Sequence, residues 1–496
     1  MILDIIILAI YSLSLLFIFL YSLSQLNLLI NYLKAKKSPE TSLELDLKNL
    51  NSLPQVTIQL PVYNELYVMD RLLDNIALID YPKDKLEIQV LDDSTDESVL
   101  LTAQKVGILK RDGLDIKHIR RKNRNGFKAG ALKDGLAIAK GEFIAIFDAD
   151  FLPKSDWLKQ TLPYFKNDKI GAVQTRWGHI NRNYSLLTKV QAFALDAHFT
   201  LEQVGRNAAN HFINFNGTAG IWRKTCIEDS GNWNSDTLTE DLDLSYRAQL
   251  KQWRIKYLEN VVTPAELPVV ISAAKTQQFR WNKGGAENFR KNIIAVLQSK
   301  NVSTSTKLHA FFHLLNSTMF FNVLIIALLS VPLLYIKSNH PSWAPYFNSL
   351  GFLFISTLIF FICYWTMYRT IYGKTIKHFF RFSGMFLSFF TIAMGFSLHN
   401  SIAVLEGHQG KKSRFIRTPK FNVSSNTDTW KGNKYLSQNL SFTVILEGLL
   451  TLYFAFGLYS AFVVKSGSGD FGFILFHLML FLGFGFVFFK SIRTKA

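Results

Sequence analysis

The segment FIAIFDAD, residues 143–150, joins a short apolar run to a pair of carboxylates. An uninterrupted apolar run of this length is typical of a strand that is buried on both faces of a sheet. We therefore expect a strand at Glu142–Phe147, followed at once by Asp148 and Asp150. Two carboxylates this close repel each other, so they need a cation or hydrogen-bond donors to share.

Further apolar runs alternate with helical patterns along the chain. Val56–Leu60 and Ile88–Leu91 are expected to be buried parallel strands, and Tyr67–Ile79 and Ala129–Ala139 are expected to be helices. This β-α-β alternation predicts a doubly wound, Rossmann-like α/β sheet over about residues 56–271.

Three of the predicted strands are each followed by a polar motif. The motifs are Pro61–Glu65, Asp92–Ser94 and Asp148–Asp150. Ligands of open α/β sheets bind beyond the carboxyl ends of the strands. We therefore expect the three motifs to meet at one binding site.

The composition indicates a membrane protein with a sizeable soluble domain. The chain has 496 residues, is 49% hydrophobic and carries a formal charge of +18. Basic loops beside apolar spans explain that charge, and no basic run is interleaved with aromatics, so we expect no nucleic-acid partner. The two cysteines, Cys226 and Cys363, exclude a disulfide framework and suit a reducing compartment.

The amino-terminal segment, residues 1–33, is expected to be a transmembrane anchor. It is too long for the core of a signal peptide and ends at Lys34, Lys36 and Lys37. This basic flank places the following soluble domain, residues 50–300, in the cytosol.

The carboxy-terminal half contains further apolar segments. Residues 308–372 are expected to form two transmembrane helices, and residues 441–490 another two. If residues 378–407 also crossed the membrane, the basic stretch that follows and the basic carboxy-terminus would both lie outside. We therefore assign 376–440 to an interfacial helix and a cytosolic loop, which predicts five spans in a multi-pass protein, with the bacterial inner membrane as its expected location.

The acidic motifs suit nucleotide and metal binding. Asp92 or Asp93 could accept hydrogen bonds from a nucleoside, although an acidic turn that caps the next helix explains them too. Asp148 and Asp150 suit Mg²⁺ or Mn²⁺ bridging diphosphate oxygens, although a solvated turn explains them too. Lys128, at the start of a helical pattern, could meet a phosphate or could simply begin the helix.

Two later motifs also have both a chemical and a structural explanation. In Thr239-Glu240-Asp241, Asp241 could be a general base, but a threonine cap with acids in the first turn is equally complete. Arg280 could stabilise diphosphate charge and Trp281 could stack on a sugar ring. An amphipathic helix lying on the membrane explains the same residues without chemistry.

Taken in order, the motifs resemble the processive family-two glycosyltransferases, whose pattern is D, D-x-D, T-E-D and Q-x-x-R-W. The chain looks most like the cellulose-synthase-like A and C proteins, which make β-mannan or β-glucan backbones. The closest stretch runs from Val173 to Lys291 and includes Phe215–Arg223. The family's gating loop, F-x-V-T-x-K, is matched by Phe415–Lys420, with arginine in place of valine; we call this the FIRTPK segment.

The resemblance implies a GT-A fold, a nucleotide-sugar donor and inversion at the anomeric carbon. It assigns the nucleoside to Asp92 or Asp93 and the diphosphate to Asp148, with Asp150 and the metal. The full set of implied site residues has four parts: Asp241 and Glu240 as catalytic; Asp92, Asp93, Asp148, Lys128, Gln277, Arg280, Trp281 and Thr418 for the donor; Asp148 and Asp150 for the metal; and Trp281, Gly217 and Thr218 for the acceptor.

One departure from the plant pattern follows Trp281. The plant proteins continue Ser-Cys-Gly-Pro, whereas this chain continues Asn282-Lys283-Gly284-Gly285. The donor, GDP-mannose or UDP-glucose, therefore stays open, as does any export partner in the envelope.

Three hypotheses about function follow. The first is a synthase that extends a polysaccharide and threads it through its own helices. The second is a transferase that adds one sugar to a membrane lipid. The third is a non-catalytic membrane scaffold, which would have no need of the ordered acidic and basic motifs.

Overall fold

The computed structural model of the chain describes residues 1–37, 53–425, 427–436, 441–465 and 467–493. Residues 50–52 of the predicted soluble domain lie outside the described residues. So do residues 437–440, at the end of the predicted interfacial helix and loop.

The soluble domain is built on a sheet of seven strands in the described part of the chain. The strand order is β3-β2-β1-β4-β6-β5-β7. The strands are β1 (Val56–Val62), β2 (Leu86–Asp92), β3 (Asp115–Arg120), β4 (Phe143–Ile146), β5 (Ile170–His179), β6 (Gly220–Arg223) and β7 (Arg254–Ala265).

The sheet is mixed rather than wholly parallel. β1 pairs in parallel with β2 and β4, which confirms the three strands predicted from the apolar runs. β6 runs antiparallel to both β4 and β5, which the sequence did not predict. Its four residues are too few to give a clear periodicity.

Strand register brings the acidic motifs to one edge. Val62 of β1 pairs with Asp92 of β2, and Gln59 of β1 pairs with Ile146 of β4. Asp93 and Asp148 therefore leave the sheet at the same carboxyl edge. The expectation that the motifs meet there is confirmed.

Apolar cores cover both faces of the sheet. One contains Ile58, Leu72 and Trp157, and the other contains Leu132, Trp222 and buried residues of α9, defined below. Burial on both faces explains why β4 is an uninterrupted apolar run.

Helices cover the sheet and form the membrane part. They are α1 (Ile2–Lys37), α2 (Met69–Ala77), α3 (Ser98–Arg111), α4 (Phe127–Ala137), α5 (Trp157–Thr161), α6 (Leu186–Asp196), α7 (Gln203–Ala208), α8 (Lys224–Asp229), α9 (Glu240–Leu250), α10 (Ile271–Gln298), α11 (Thr304–Leu314), α12 (Thr318–Asn339), α13 (Ala344–Leu350), α14 (Ile355–Tyr372), α15 (Ile376–Gln409), α16 (Phe442–Val463) and α17 (Ile474–Arg493). The two helices predicted before β2 and β4 are confirmed as α2 and α4.

Six helical segments among the described residues are long and apolar enough to cross a membrane. They are α1, α12, the segment Pro341–Tyr372, α15, α16 and α17. α15 has the lowest mean hydropathy of these, 1.4, against 2.6 for α1. Length and composition therefore give a multi-pass membrane protein.

Polar contacts between these helices lie in two groups, one at each end of the helical bundle. At the end far from the sheet, His340 lies 3.2 Å from Asp4, and Lys337 pairs with Asp470 at 2.8 Å. At the near end, Tyr32 of α1 bonds Thr370 of α14 at 3.3 Å.

Both ends of α15 contact the soluble part of the protein. Near its start, the Phe382 ring lies 6.2 Å from that of Phe193 on α6. Near its end, Glu406 accepts a hydrogen bond from Lys283 of α10 at 3.1 Å. α15 therefore begins and ends on the same side of the helical bundle.

The anchor α1 is docked directly on the soluble domain. Gly205 of α7 meets the backbone of Leu28, and a Cβ at position 205 would lie 2.5 Å from the Leu28 carbonyl oxygen. Lys36 pairs with Glu259 of β7 at 2.7 Å. The soluble domain is therefore held against the helices by packing as well as by covalent connection.

Candidate active site

A cleft of about 170 Å³ opens at the carboxyl edge of the sheet. Eleven of the thirteen predicted site residues line it: Asp93, Lys128, Asp148, Asp150, Gly217, Glu240, Asp241, Gln277, Arg280, Trp281 and Thr418. Asp92 and Thr218 are not among the lining residues. The motifs that are dispersed over some 300 positions of sequence thus converge on one cavity.

Asp92 and Asp93 have different surroundings: Asp92 is hydrogen-bonded inside the protein, whereas Asp93 lines the cleft. Asp92 is buried, accepting from the Ser94 amide at 2.8 Å and lying 2.7 Å from His118. Burial alone would raise the pKa of Asp92, but the bonds from His118 and Ser94 outweigh it and lower that pKa. Asp93 reaches the cleft with Arg121 donating to both its oxygens, at 2.9 and 2.5 Å.

Lys128 connects three walls of the cleft. Its ammonium donates to Asp148 at 2.6 Å and to the Gly217 carbonyl at 2.9 Å. Burial alone would lower the pKa of Lys128, but the Asp148, Glu240 and Asp241 carboxylates outweigh it and raise that pKa. Lys128 is therefore a charged, desolvated group facing the point where a ligand would lie.

Gly217 and Thr218 occupy the turn before β6. Gly217 has a φ of +77°, which favours glycine, and a Cβ there would lie 3.1 Å from an Asp241 oxygen. The Thr218 hydroxyl accepts from the Asp148 amide at 2.9 Å and is buried. Gly217 leaves room beside Asp241, whereas Thr218 orients the backbone of the D-x-D motif.

Asp148 and Asp150 fit a divalent cation by their chemistry. Asp150 is buried, and its Oδ1 has no hydrogen-bond partner in the described part of the chain, while Oδ2 pairs with Lys420 at 2.8 Å. Carboxylate oxygens are the ligands that Mg²⁺ and Mn²⁺ prefer. Within the described ranges no group of three or more His, Cys, Asp or Glu side chains is placed to hold a metal, so further ligands would come from the bound substrate or water.

The Thr239-Glu240-Asp241 motif begins α9 but does not use threonine as a cap. The Thr239 side chain makes no capping bond and instead accepts from Asn288 of α10 at 2.9 Å. The expected side-chain cap by Thr239 is therefore wrong, whereas the expected acids in the first turn of the helix are confirmed.

The two acids of this motif are desolvated. Burial raises the pKa of Glu240. Burial, and then the neighbouring Glu240 carboxylate, raise the pKa of Asp241 to about 7, against attraction from Lys128. A carboxylate in this state can take a proton near neutral pH.

The long helix α10 supplies the Gln277, Arg280 and Trp281 wall. Arg280 donates to the Thr418 hydroxyl at 2.9 Å and lies 4.7 Å from the centre of the Phe415 ring. Burial lowers the pKa of Arg280, opposed by attraction to the cleft carboxylates. The Trp281 side chain is 37% exposed and faces the cavity, so a flat ring can stack on it.

The FIRTPK segment lies across the mouth of the cleft. Beyond the Arg280–Thr418 bond, Arg417 pairs with Glu65 at 2.7 Å and Lys420 with Asp150. Burial alone would lower the pKa of Lys420, but Asp150 and Glu65 outweigh it and raise that pKa. Three positions of the segment thus bind three different walls.

Several cleft residues were missing from the predicted set. They are Tyr63, Glu65, Arg124, Glu266, Arg417 and Lys420. The Pro61–Glu65 motif and the FIRTPK segment were recognised as motifs, which was the available signal for four of them. Arg124 packs on the Tyr63 ring at 3.3 Å, a contact that sequence spacing does not reveal.

A second cavity, of about 500 Å³, continues from the first toward the membrane helices. The two share Trp177, Asn216, Asp241, Gln277 and Trp281 as lining residues. Beyond these, the second cavity is lined by aromatic side chains of α12, α14 and α15, including Phe320, Phe360, Tyr364 and Phe390. Asp241 and Trp281 therefore lie at the junction of the cleft and the second cavity, which we call the tunnel.

Comparison with protein families gives one match. Residues 54–284 match the model described as "Glycosyltransferase like family 2". This range covers the whole sheet and the first half of α10.

Curated relatives are plant enzymes. The chain is 42% identical over 264 residues to a probable glucomannan 4-beta-mannosyltransferase 11 from Oryza sativa subsp. japonica, covering 52% of this chain and 46% of that protein. It is 35% identical over 343 residues to a probable glucomannan 4-beta-mannosyltransferase 11 from Arabidopsis thaliana, covering 66% and 77%. The chain thus spans about half the length of the first of these relatives. None of the relatives described here supports the expected bacterial origin.

A solved structure shares the fold. The mannosyltransferase PcManGT from Pyrobaculum calidifontis, in complex with GDP-Man and Mn²⁺, superposes with a TM-score of 0.51 at 19% identity, covering 81% of this chain and all of that one. The expected GT-A fold is confirmed.

Removing the Asp241 charge should stabilise the folded protein. The folded pKa of about 7 lies above the ordinary 3.8, so the folded state holds a proton that the unfolded state releases, and stability falls as pH rises from about 4 through 7. Asp241→Asn should therefore raise the melting temperature at pH 8 by about 2–4 °C, the effect of about 1 kcal/mol in a domain of this size.

Asp243→Asn is the matched control for that measurement. Asp243 lies on the same helix, is buried, and pairs with Arg247 at 2.8 Å and Lys291 at 2.9 Å. Its loss should lower the melting temperature. A lower melting temperature for Asp241→Asn at pH 8 would contradict a desolvated Asp241 whose charge Lys128 compensates only in part.

Proposed function

The chain belongs to the family 2 glycosyltransferases, and on that premise we propose that it is a membrane-embedded inverting hexosyltransferase. It transfers a hexose from a nucleotide-sugar to the end of a growing β-linked polysaccharide and passes the product toward the membrane. The observation that carries this proposal is that the cleft and the tunnel have lining residues in common. Asp241 and Trp281 line both cavities, so a donor in the cleft and a polymer end in the tunnel would meet beside them.

Asp241 is the proposed base. The acceptor hydroxyl loses its proton to an Asp241 oxygen as its own oxygen attacks the anomeric carbon, and the bond from that carbon to the diphosphate breaks. A base of this kind typically contributes about 10²–10⁴-fold to the rate, and most when its pKa is close to the working pH. Glu240, directly before it, helps to set that pKa.

The leaving diphosphate is received by cations that are already in place. Lys128 and Arg280 line the cleft, and the neighbouring carboxylates attract both cations. Cations that are already held in position stabilise the negative charge that develops on the diphosphate, because the protein need not rearrange during the reaction. Asp148 and Asp150 would hold Mg²⁺ or Mn²⁺, which when bound supplies further neutralisation of the diphosphate.

A mannosyl donor is the better supported of the two candidates. The curated relatives are named glucomannan 4-beta-mannosyltransferases. We therefore favour GDP-mannose over UDP-glucose. Asp93 and the Arg124–Tyr63 stack lie on the cleft wall where the nucleoside would be held.

The tunnel favours a polymeric acceptor. Its aromatic lining suits the apolar faces of sugar rings, and its entrance carries polar groups such as Asn216 and Gln277. A product end that enters the second cavity lies between the membrane helices. A transferase that adds one sugar to a lipid remains the alternative outcome.

We further propose five membrane spans with the soluble domain in the cytosol. Because α15 starts and ends beside soluble elements, it suits an interfacial position, and the FIRTPK segment that follows it then stays on the side of the cleft. The remaining five apolar helices alternate in direction, consistent with the end-to-end contacts between Asp4 and His340 and between Tyr32 and Thr370.

Cysteine labelling in sealed vesicles tests this topology. Lys377 lies in the first turn of α15 and Lys412 just after its end, and both are exposed. Lys465 is exposed near the far end of α16, and both native cysteines are buried. A membrane-impermeant maleimide should reach cysteines at 377 and 412 from the same side and a cysteine at 465 from the other. Labelling of positions 377 and 412 from opposite sides would instead establish a sixth span.

Product size tests the proposed activity. Purified full-length protein with Mn²⁺ and GDP-mannose should release GDP and yield a ladder of lengthening products, with UDP-glucose giving much less. Chelation of the metal should reduce GDP release at least tenfold. A single lipid-linked sugar would favour the alternative, and no nucleotide release from either donor would overturn the proposal.

A further inference from the structure

Lys283 is a fully buried lysine at the point where the chain departs from the plant pattern. Its side chain has 0% exposure, although it lies only two residues after Trp281. Lysine is almost never fully buried unless it is paired. None of the chemistry proposed above uses it.

The Lys283 ammonium contacts both the end of α15 and the residues that follow this helix. It donates to Glu406 on the last turns of α15 at 3.1 Å and also to the Ser413 hydroxyl. Ser413 in turn donates to Glu406 at 3.3 Å, and Lys411 donates to the other Glu406 oxygen at 2.6 Å. The end of α15 and the residues leading to the FIRTPK segment are thereby tied to α10.

This tie is the first of two attachments to the same helix. One turn before Lys283, Arg280 donates to Thr418 and packs on Phe415. The chain from Ser413 to Thr418 is thus held to α10 at both ends. The Lys283 contact fixes where the segment starts, and the Arg280 contact fixes where it meets the cleft.

α10 is itself held tightly against the element that carries Asp241. Gly284 packs on Thr239, and a Cβ there would lie 2.6 Å from the Thr239 Cγ2. On another side, a Cβ at Gly407 of α15 would lie 2.6 Å from the Lys283 carbonyl oxygen. The Lys283 contact therefore joins the FIRTPK segment to a helix whose distance from Asp241 is already set by close packing.

We propose that Lys283 is a positioning residue that sets the register of the FIRTPK segment over the cleft. It acts through Glu406 and Ser413 and touches no reacting group. This role rests on the proposed function, since the segment matters only if a donor binds beneath it. Loss of the ammonium should free the start of the segment and weaken donor capture more than the chemical step.

The chain offers a substitution that removes the ammonium without leaving a lone buried charge. In Lys283→Met the apolar stem is kept and Glu406 retains Lys411. Lys291→Met is the matched control on the same helix, because Asp243 retains Arg247 when Lys291 is removed. Ser413→Ala, in which Lys283 keeps Glu406, is a milder variant that leaves every charge paired.

A spin label at position 416 reports the position of the segment without turnover. Ile416 is 64% exposed between Phe415 and Arg417, and both native cysteines are buried, so Ile416→Cys can be labelled selectively. Lys283→Met in the full-length protein should raise the ratio of mobile to restricted label about tenfold, and Ser413→Ala should raise it about threefold, as expected for lost hydrogen bonds to a charged group. Lys291→Met should leave the ratio unchanged.

Kinetics on the same variants separate positioning from folding. Lys283→Met should raise the KM for the nucleotide-sugar about tenfold with kcat changed by less than about threefold, and Lys283→Arg should restore most of the loss. Unchanged label mobility in both Lys283→Met and Ser413→Ala, or equal effects from Lys291→Met, would overturn the inference. Absence of turnover in the unsubstituted protein would count against the proposed function alone, because label mobility does not depend on it.

Discussion

The desolvated charges around Lys128 are the constraint on which the site depends. Glu240, Asp241 and Asp148 all line the cleft, and carboxylates that are removed from water are costly unless cations compensate them. Lys128 supplies that compensation by direct contact with Asp148 and by attraction to the other two, and Arg280 adds a second cation. Burial and the Glu240 carboxylate still raise the pKa of Asp241, the proposed base.

α10 contacts both the cleft and the membrane helices. One of its faces carries Arg280 and Trp281 into the cleft, and Gly284 fits it against Thr239 beside the base. Lys275, one turn from its start, pairs with Glu447 of α16 at 2.7 Å. A single helix therefore fixes the cleft, the tunnel entrance and the membrane bundle relative to one another, which suits the proposed passage of the product toward the membrane.

Much of this was predictable from local sequence, and the rest depends on contacts between distant parts of the chain. The run Phe143–Phe147 predicted β4, and the acidic motif after it predicted one wall of the cleft, because strand ends in such sheets share an edge. Periodicity could not predict the antiparallel β6.

Periodicity also could not distinguish Asp92, which is bonded to His118, from Asp93, which faces the cavity. The pairing of Lys420 with Asp150 joins residues 270 positions apart. Only the resemblance to a gating loop brought the FIRTPK segment to notice.

The most direct test of the central claim is sugar transfer by Asp241→Asn compared with the unsubstituted protein, with donor binding measured in parallel. We expect nucleotide release to fall at least about 100-fold while the Kd for the nucleotide-sugar changes little, since a base acts on the chemical step. In the unsubstituted protein the rate should rise with pH through about 7, as Asp241 ionises. Transfer by Asp241→Asn at the unsubstituted rate would contradict the account.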